Sequence, residues 1–240
     1  YEIYQCDWSS DVCSSDLEVE LNREKGHYER EEKAERLNQV LNKGEVGHRA
    51  FFEHDGSLNC GFEIVSQPMS LPMHREFWTW LKQPELVRGL LSHNTSTCGL
   101  HVHVSKQPLS KLQIAKMVAF VNAEANRSFI TAVARRYAEG YCKIKNKKIG
   151  SSHYSDDRYE AVNVTPRKTI EFRIFKGSLK YESVMAAIEF VNALVEFTAP
   201  SHEGSISSLN PDAFLEFINN KLADETASLR PYLANRFEIA

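Results

Sequence analysis

Polar and apolar residues alternate without a break through residues 98–105. Leu100, Val102 and Val104 fall on one side; His101, His103 and Ser105 fall on the other. Side chains of a β-strand alternate faces, so two imidazoles and a hydroxyl stand in a row, about 6.6–6.8 Å per step, over an apolar underside. The same spacing recurs at Glu18-Val19-Glu20 and Glu171-Phe172-Arg173, and Phe62-Glu63-Ile64 sets one carboxylate between apolar neighbours. If these strands lie in one sheet and share a face, they converge on four carboxylates, two imidazoles and a guanidinium.

Elsewhere the period changes to that of a helix. Residues 29–43 carry Ala34, Leu37, Val40 and Leu41 on one stripe, and Gly44 ends the run. Residues 49–53 and 60–66 read as strands joined by a tight turn at Asp55-Gly56. Residues 73–91 predict a helix interrupted near Pro84. Ser110 is the expected N-cap of a long helix reaching about Tyr137, with Leu112, Ala115, Val118, Ala119, Val121 and Phe129 on its apolar stripe. A polar loop over 139–157 follows, then strands at 159–164 and 169–175 around a turn at Pro166. Residues 182–197 form a helix, 200–210 a linker, and 211–236 a helical pair. Antiparallel hairpins interleaved with long helices, without regular βαβ alternation, predict an α+β fold. Its sheet is mainly antiparallel, with helices packed on one face and a helical C-terminus.

Composition narrows the function classes. The 240 residues are 42% hydrophobic and 25% charged, which is ordinary for a globular domain with a sizeable core. A net charge of −3 gives no global basic field for nucleic acid, and the basic run Lys143-Ile144-Lys145-Asn146-Lys147-Lys148 reads as a solvated loop. No apolar run approaches the roughly 18–20 residues a bilayer requires, and no secretory signal is present, so the expected place is cytoplasmic, off the membrane.

The run from Cys6 to Leu17 lacks any period and resembles the conceptual translation of a sequencing-adapter oligonucleotide. Residues 1–17 are therefore expected to be an artefact, with the native residues before Glu18 missing. Of five cysteines, Cys60, Cys98 and Cys142 remain. Three scattered thiols make neither a disulfide framework nor a zinc knuckle, and they suggest a reducing compartment.

Carboxylates with one or two imidazoles suit Mg²⁺ or Mn²⁺, whereas soft zinc sites favour thiolates. Two such ions can clamp a transferring phosphoryl group while an arginine neutralises its charge. Each motif alone also has a plainer reading. Glu18 and Glu20 suit a solvent-facing strand, His101 and His103 the wet face of a sheet, and Glu171 with Arg173 a cross-strand ion pair. Their joint occurrence favours a site.

The segment Gly99-Leu100-His101-Val102-His103-Val104-Ser105 resembles the Gly-x-His-x-His-x-Ser strand of glutamine synthetases and γ-glutamylcysteine ligases. More closely, the ordered blocks resemble the family of putative amidoligases, carboxylate–amine ligases of the same superfamily. Those blocks are Glu18-Val19-Glu20, Asp55-Gly56-Ser57-Leu58 with Gly61-Phe62-Glu63-Ile64-Val65-Ser66, the histidine strand, Arg158-Tyr159-Glu160-Ala161-Val162-Asn163, and Thr169-Ile170-Glu171-Phe172-Arg173-Ile174-Phe175.

The resemblance implies a glutamine-synthetase-like sheet, a catalytic domain over 18–200 and a C-terminal helical extension over 201–240. It implies an ATP-dependent ligase that makes an amide through an acyl phosphate, using Mg²⁺ or Mn²⁺ and small-molecule or peptide carboxylate and amine substrates. Glu18, Glu20, Glu63, His101 and Glu171 match the metal-ligand positions. His103, Ser105 and Asn163 match positions on the nucleotide side, and Arg173 and Arg158 match catalytic ones. The family's first strand usually carries one more glutamate ahead of the Glu-x-Glu pair, where this chain has Asp16. Thr169 stands where related synthetases often have arginine, leaving Arg167 or Lys168 as substitutes. A metal-dependent phosphoesterase and a degenerate nucleotide-binding module are the alternatives; the sequence carries no signal for an oligomeric state.

Overall fold

A computed structural model describes residues 12–21, 27–43, 49–136, 142–145, 159–200 and 208–237. Among these residues seven strands form one sheet: β1 (Val12–Leu21), β2 (Ala50–Glu53), β3 (Gly61–Ser66), β4 (Leu90–Leu91), β5 (Gly99–Ser105), β6 (Val162–Asn163) and β7 (Thr169–Lys176). Their order is β2-β3-β1-β5-β7-β6, with β4 on the end of β1, and every ladder between them is antiparallel. The helices are α1 (His27–Leu41), α2 (Leu71–Phe77), α3 (Pro84–Val87), α4 (Lys111–Asn122), α5 (Arg127–Ala134), α6 (Tyr181–Phe197), α7 (Pro211–Asn220) and α8 (Leu229–Phe237). The mixed architecture with a mainly antiparallel open sheet is the one the periodicity predicts. No helix among the described residues is long and apolar enough to cross a membrane.

The strand expected to begin at Glu18 is longer: β1 extends back to Val12 and lies at the centre of the sheet, between β3 and β5. Leu17 and Val19 are fully buried, and they join Leu100, Val102, Ile170 and Phe172 on the face that meets the helices. The buried helix α6 packs across this face, and Phe120, Phe190 and Phe197 surround Phe214 of α7 with ring centroids 5.3–5.4 Å apart. Phe214 and Leu233 therefore bring both C-terminal helices into the same core. The opposite face of β1 carries Asp16, Glu18 and Glu20.

Several expectations need correction. The β2–β3 hairpin has its tight turn at Asp55-Gly56, where the Leu58 N–H donates to the Asp55 carbonyl at 3.2 Å and Asp55 Oδ1 accepts the Ser57 N–H at 2.8 Å, but the whole connection runs over residues 54–60. Residues 73–91 divide into the end of α2, a 3-10 turn at Trp78–Lys82, α3 and strand β4. The positive φ of Gly89 (82°) redirects the chain before Leu90 and Leu91 pair with β1. Ser110 does cap α4, accepting from Gln113 N at 3.1 Å. The helix nevertheless breaks at Ala123, whose backbone is extended, and the buried Asn126 side chain donates to the Phe120 carbonyl left open there, at 2.9 Å. Ala115, Val118, Val121 and Phe129 of the expected stripe are buried, but Leu112 is exposed, and Gln113, Met117 and Phe120 also face inward. Gly44, Tyr137, most of the 139–157 loop, residues 146–148 of the basic run and residues 201–207 lie outside the described residues.

The β1–β3 seam leaves no room at Gly61. A Cβ built there lies 2.2 Å from the Val19 carbonyl oxygen, a backbone atom that cannot turn aside. Gly61→Ala is expected to destabilise the protein by about 3 kcal/mol. Urea unfolding followed by circular dichroism reads that loss as an earlier midpoint.

Candidate active site

The sheet's polar face holds a grid of ionisable side chains fixed by strand register. Glu18 lies opposite Glu63 on β3. Asp16 lies opposite His101 on β5, and His103 opposite Glu171 on β7, which in turn lies opposite Asn163 on β6. A β-bulge refines the grid. Leu100 pairs with Phe175 and Val102 with Phe172, so Arg173 and Ile174 together oppose His101. The extra residue returns Phe175 to the helix side, 6.0 Å from the Phe190 ring, while Arg173 stays on the polar face lining the cavity.

His101 is the hub. Its Nδ1 lies 3.5 Å from Glu171 Oε1 and 3.8 Å from Glu63 Oε1, and its Nε2 lies 3.9 Å from Glu18 Oε1. Burial, followed by the charges of Arg173, His103 and Arg136, holds this imidazole well below the usual range, so it stays neutral and able to bind a cation. Burial pushes the Glu18 carboxyl up to about 7, against the Gly99 N–H that donates to its Oε2. Burial and then the charges of Asp16, Glu18 and Asp55 push Glu63 up to about 8. His103 goes the other way from His101: burial lowers it, but its 2.6 Å hydrogen bond to Asp16 and the carboxylates nearby outweigh that and raise it.

Glu171 is held from two sides. Asn163 Nδ2 donates to its Oε2 at 2.8 Å, and Arg173 Nη1 donates to its Oε1. Asn163 is fixed in turn by the Thr165 N–H and hydroxyl, which donate to its Oδ1 at 3.0 and 2.7 Å. Asp16, Glu18, Glu63, His101, Asn163, Glu171 and Arg173 line an open polar cavity of about 320 Å³ together with Asp55, Ser57, Thr97, Arg136 and Tyr159.

The structure thus brings together Glu18, Glu63, His101, Glu171, Arg173 and Asn163, with His103 beside them through Asp16. Glu20 stands apart. Its Oε1 accepts from Asn59 N at 2.8 Å and from the Thr97 hydroxyl at 2.7 Å, so it ties together the two loops that form one wall of the cavity. Ser105 is buried beyond the cavity lining, where its Oγ accepts from Gln107 N at 3.3 Å. Arg158 lies outside the described residues, and Arg167 and Lys168 are exposed.

Sequence reading set Asp16 aside with the adapter-like run, yet β1 carries it into the centre of the site. There Asp16, Glu63 and His101 offer ligand atoms that all lie within 4.8 Å of one another. It also passed over Arg136 and Thr97, which follow a helix end and a turn where no strand period points to them. Asp55 and Ser57 stand in a resembling block, Asp55 also at a turn, and sequence reading assigns neither a site role.

Gly99 is the close-approach point. A Cβ there would stand 3.2 Å from Arg136 Nη1, 3.2 Å from Glu18 Oε2 and 3.3 Å from His101 Nε2. Gly99→Ala is expected to displace all three by a few tenths of an ångström and weaken Mn²⁺ binding roughly 10-fold, as loss of a supporting contact does. Calorimetric titration measures the affinity, and an unchanged constant would count against the site.

The sequence model of the family described as "Putative amidoligase enzyme" matches residues 124–195. That stretch contains Arg136, Asn163, Glu171 and Arg173 and ends in α6; the match agrees with the resemblance of the ordered blocks and supports a ligase-type enzyme. No curated protein matches the chain.

Proposed function

We propose that this chain is an ATP-dependent carboxylate–amine ligase, built on a glutamine-synthetase-like sheet, that forms an amide through an acyl phosphate. The observation that carries the reading is Asp16 Oδ1, a buried carboxylate oxygen with no hydrogen-bond partner among the described residues, in a set with Glu63 and His101. A buried charged oxygen is costly unless a donor or a cation meets it. The donor set is oxygen-rich with one neutral imidazole. The nearby Cys98 thiol is pushed up to about 12 by burial, which favours Mg²⁺ or Mn²⁺ over a thiolate-bound metal.

Asp16, Glu63 and His101 would hold such an ion, with Glu18 and Glu171 flanking His101. When bound, the ion supplies neutralisation of charge on the transferring phosphoryl group. The chain's own groups do the rest. Arg173, anchored on Glu171 and lining the cavity, would set its positive charge against the phosphoryl oxygens or the substrate carboxylate. Asn163 keeps Glu171 in place, and the Gly99 N–H does the same for Glu18. By family position His103 and Ser105 would serve the nucleotide and Arg158 the catalytic set, but Ser105 is buried beyond the cavity lining and only His103 reaches the cluster, through Asp16. The carboxylate oxygen of the acid attacks the γ-phosphorus of ATP and ADP leaves. The amine then attacks the acyl carbon, losing a proton as phosphate departs.

The test incubates the protein with ATP, Mg²⁺ and pools of amino acids, peptides and amines, and follows ADP, phosphate and new amides by mass spectrometry. An Asp16→Glu variant runs beside it, because the resembling family has glutamate there. Amine-dependent ADP release with a matching amide is the expected result. Hydrolysis of phosphate esters without ATP, or nucleotide binding without ADP release, would remove the ligase reading.

A further inference from the structure

We propose that Arg136 is a further substrate-binding residue of this site, an oxyanion receptor that Arg135 aims over Gly99. The inference rests on the ligase reading only for the identity of its ligand. Arg135 is the one non-glycine residue among those described with a positive φ (62°, ψ 22°). Such a conformation costs of order 1–3 kcal/mol and persists only where surrounding contacts impose it. Here they are explicit. The Arg135 N–H closes α5 on the Thr131 carbonyl at 2.9 Å, and its Nη2 donates to the Lys176 carbonyl at 2.9 Å. Lys176 is the residue that pairs with Gly99 in the sheet. Tyr232 of α8 holds the same turn: its hydroxyl donates to the Val133 carbonyl at 2.8 Å, and it hydrogen-bonds Arg135.

The left-handed turn therefore ends α5 at the histidine strand and sends the next residue over it. Arg136 Nη1 comes within 3.2 Å of the point where a Gly99 Cβ would stand, beside Glu18 and His101. It lines the cavity at the Glu18 end, as Arg173 does at the Glu171 end. The two arginines differ in one respect. Arg173 is committed to Glu171, whereas Arg136 makes no hydrogen bond or ion pair with the described residues. A guanidinium presents a planar fork of donors that matches two oxygens of a carboxylate or a phosphate. Its charge draws the neighbouring Glu18 carboxyl downward, and the same field attracts an anion that enters the cavity it lines. Carboxylate of the acid or amine substrate and phosphate of the nucleotide share the required chemistry.

The test titrates wild type, Arg136→Ala, Arg136→Lys and Arg135→Gly with malonate, with ADP, and with Mn²⁺ alone, by calorimetry. Arg136→Ala is expected to lose tenfold or more in affinity for malonate or for ADP, and the arm that responds identifies the source. Lysine, a point charge without the fork, should recover part of the loss. Mn²⁺ affinity should stay level or rise, because a repelling charge has gone. Arg135→Gly relieves the backbone but frees the aim, so its melting temperature should hold while affinity for the same anion falls several-fold. Unchanged malonate and ADP binding in Arg136→Ala overturns the proposal. So does a parallel loss of Mn²⁺ binding in both the alanine and lysine variants, which would make Arg136 a structural prop. If wild type binds the anion but not Mn²⁺, the ligase reading fails and the Arg136 assignment stands.

Discussion

Glu171→Gln is expected to lower amine-dependent ADP release by roughly 10²–10³-fold, the range seen when one preorganised electrostatic group is removed. The substitution keeps the volume and one acceptor, so the change is electrical. Glu171 Oε2 accepts from Asn163, and its Oε1 faces both Arg173 and His101 Nδ1. An amide NH₂ must turn toward one of those donors, where hydrogen would meet hydrogen. Arg173 at the same time loses its anchoring charge, and the residues around His101 lose a potential ligand. Because Glu171 lines the cavity and stands outside the apolar core, the melting temperature should move by no more than about 4 °C. Steady-state kinetics beside a thermal melt separate the two effects. Turnover equal to wild type would sink the ligase reading together with the role given to β7.

Mn²⁺ affinity should climb by several hundred-fold, to order of magnitude, between pH 6 and pH 8, because bound protons must leave before the metal enters. Glu18 and Glu63 hold their protons up to about 7 and about 8. At pH 6 both carboxyls are largely neutral, and by pH 8 Glu18 is ionised and Glu63 half so. His101 is neutral across this window and adds nothing to the slope. Calorimetric titration at several pH values reads the effect, and a flat profile would rule these carboxylates out as ligands.

The metal-free protein should respond with the opposite sign. A carboxyl whose folded pKa is raised contributes stability that is present below its unfolded value and lost as pH rises through the folded one. Between pH 6.5 and 8.5, Glu18 and Glu63 therefore lower stability, and the raised imidazole of His103 pushes the same way. Each unit is worth about 1.4 kcal/mol, so the melting temperature should fall by roughly 5 °C across that window. Saturating Mn²⁺ should restore most of it at pH 8.5 and little at pH 6.5.

The sequence by itself determined the strands and their polar faces, except for β4 and the part of β1 before Glu18. A two-residue period is local: His101 and His103, Glu18 and Glu20, and Glu171 and Arg173 must share a side wherever the strands extend. The ordered blocks also carried the family resemblance, and the match over residues 124–195 agrees with it. Register, bulges and helix breaks were not legible, because each depends on residues distant in the chain. The bulge opposite His101 comes from the pairing of Val102 with Phe172 and of Leu100 with Phe175. The break after α4 depends on Asn126 reaching the carbonyl of Phe120.

Tertiary structure also decided which ionisable groups meet. Glu20 has the same period and face as Glu18, yet its carboxylate is taken by Asn59 and Thr97 from loops far away in sequence. Asp16, in a run without any period, is carried into the cluster because the strand begun at Glu18 continues through it to pair with both neighbours. Arg136 arrives from a helix end, turned by a left-handed residue whose anchors lie on β7 and α8. Periodicity tells which way a side chain points from its own strand. What that side chain meets is decided by long-range packing, which brings Glu63, His101 and Asp16 within reach of one ion and leaves Glu20 holding a loop.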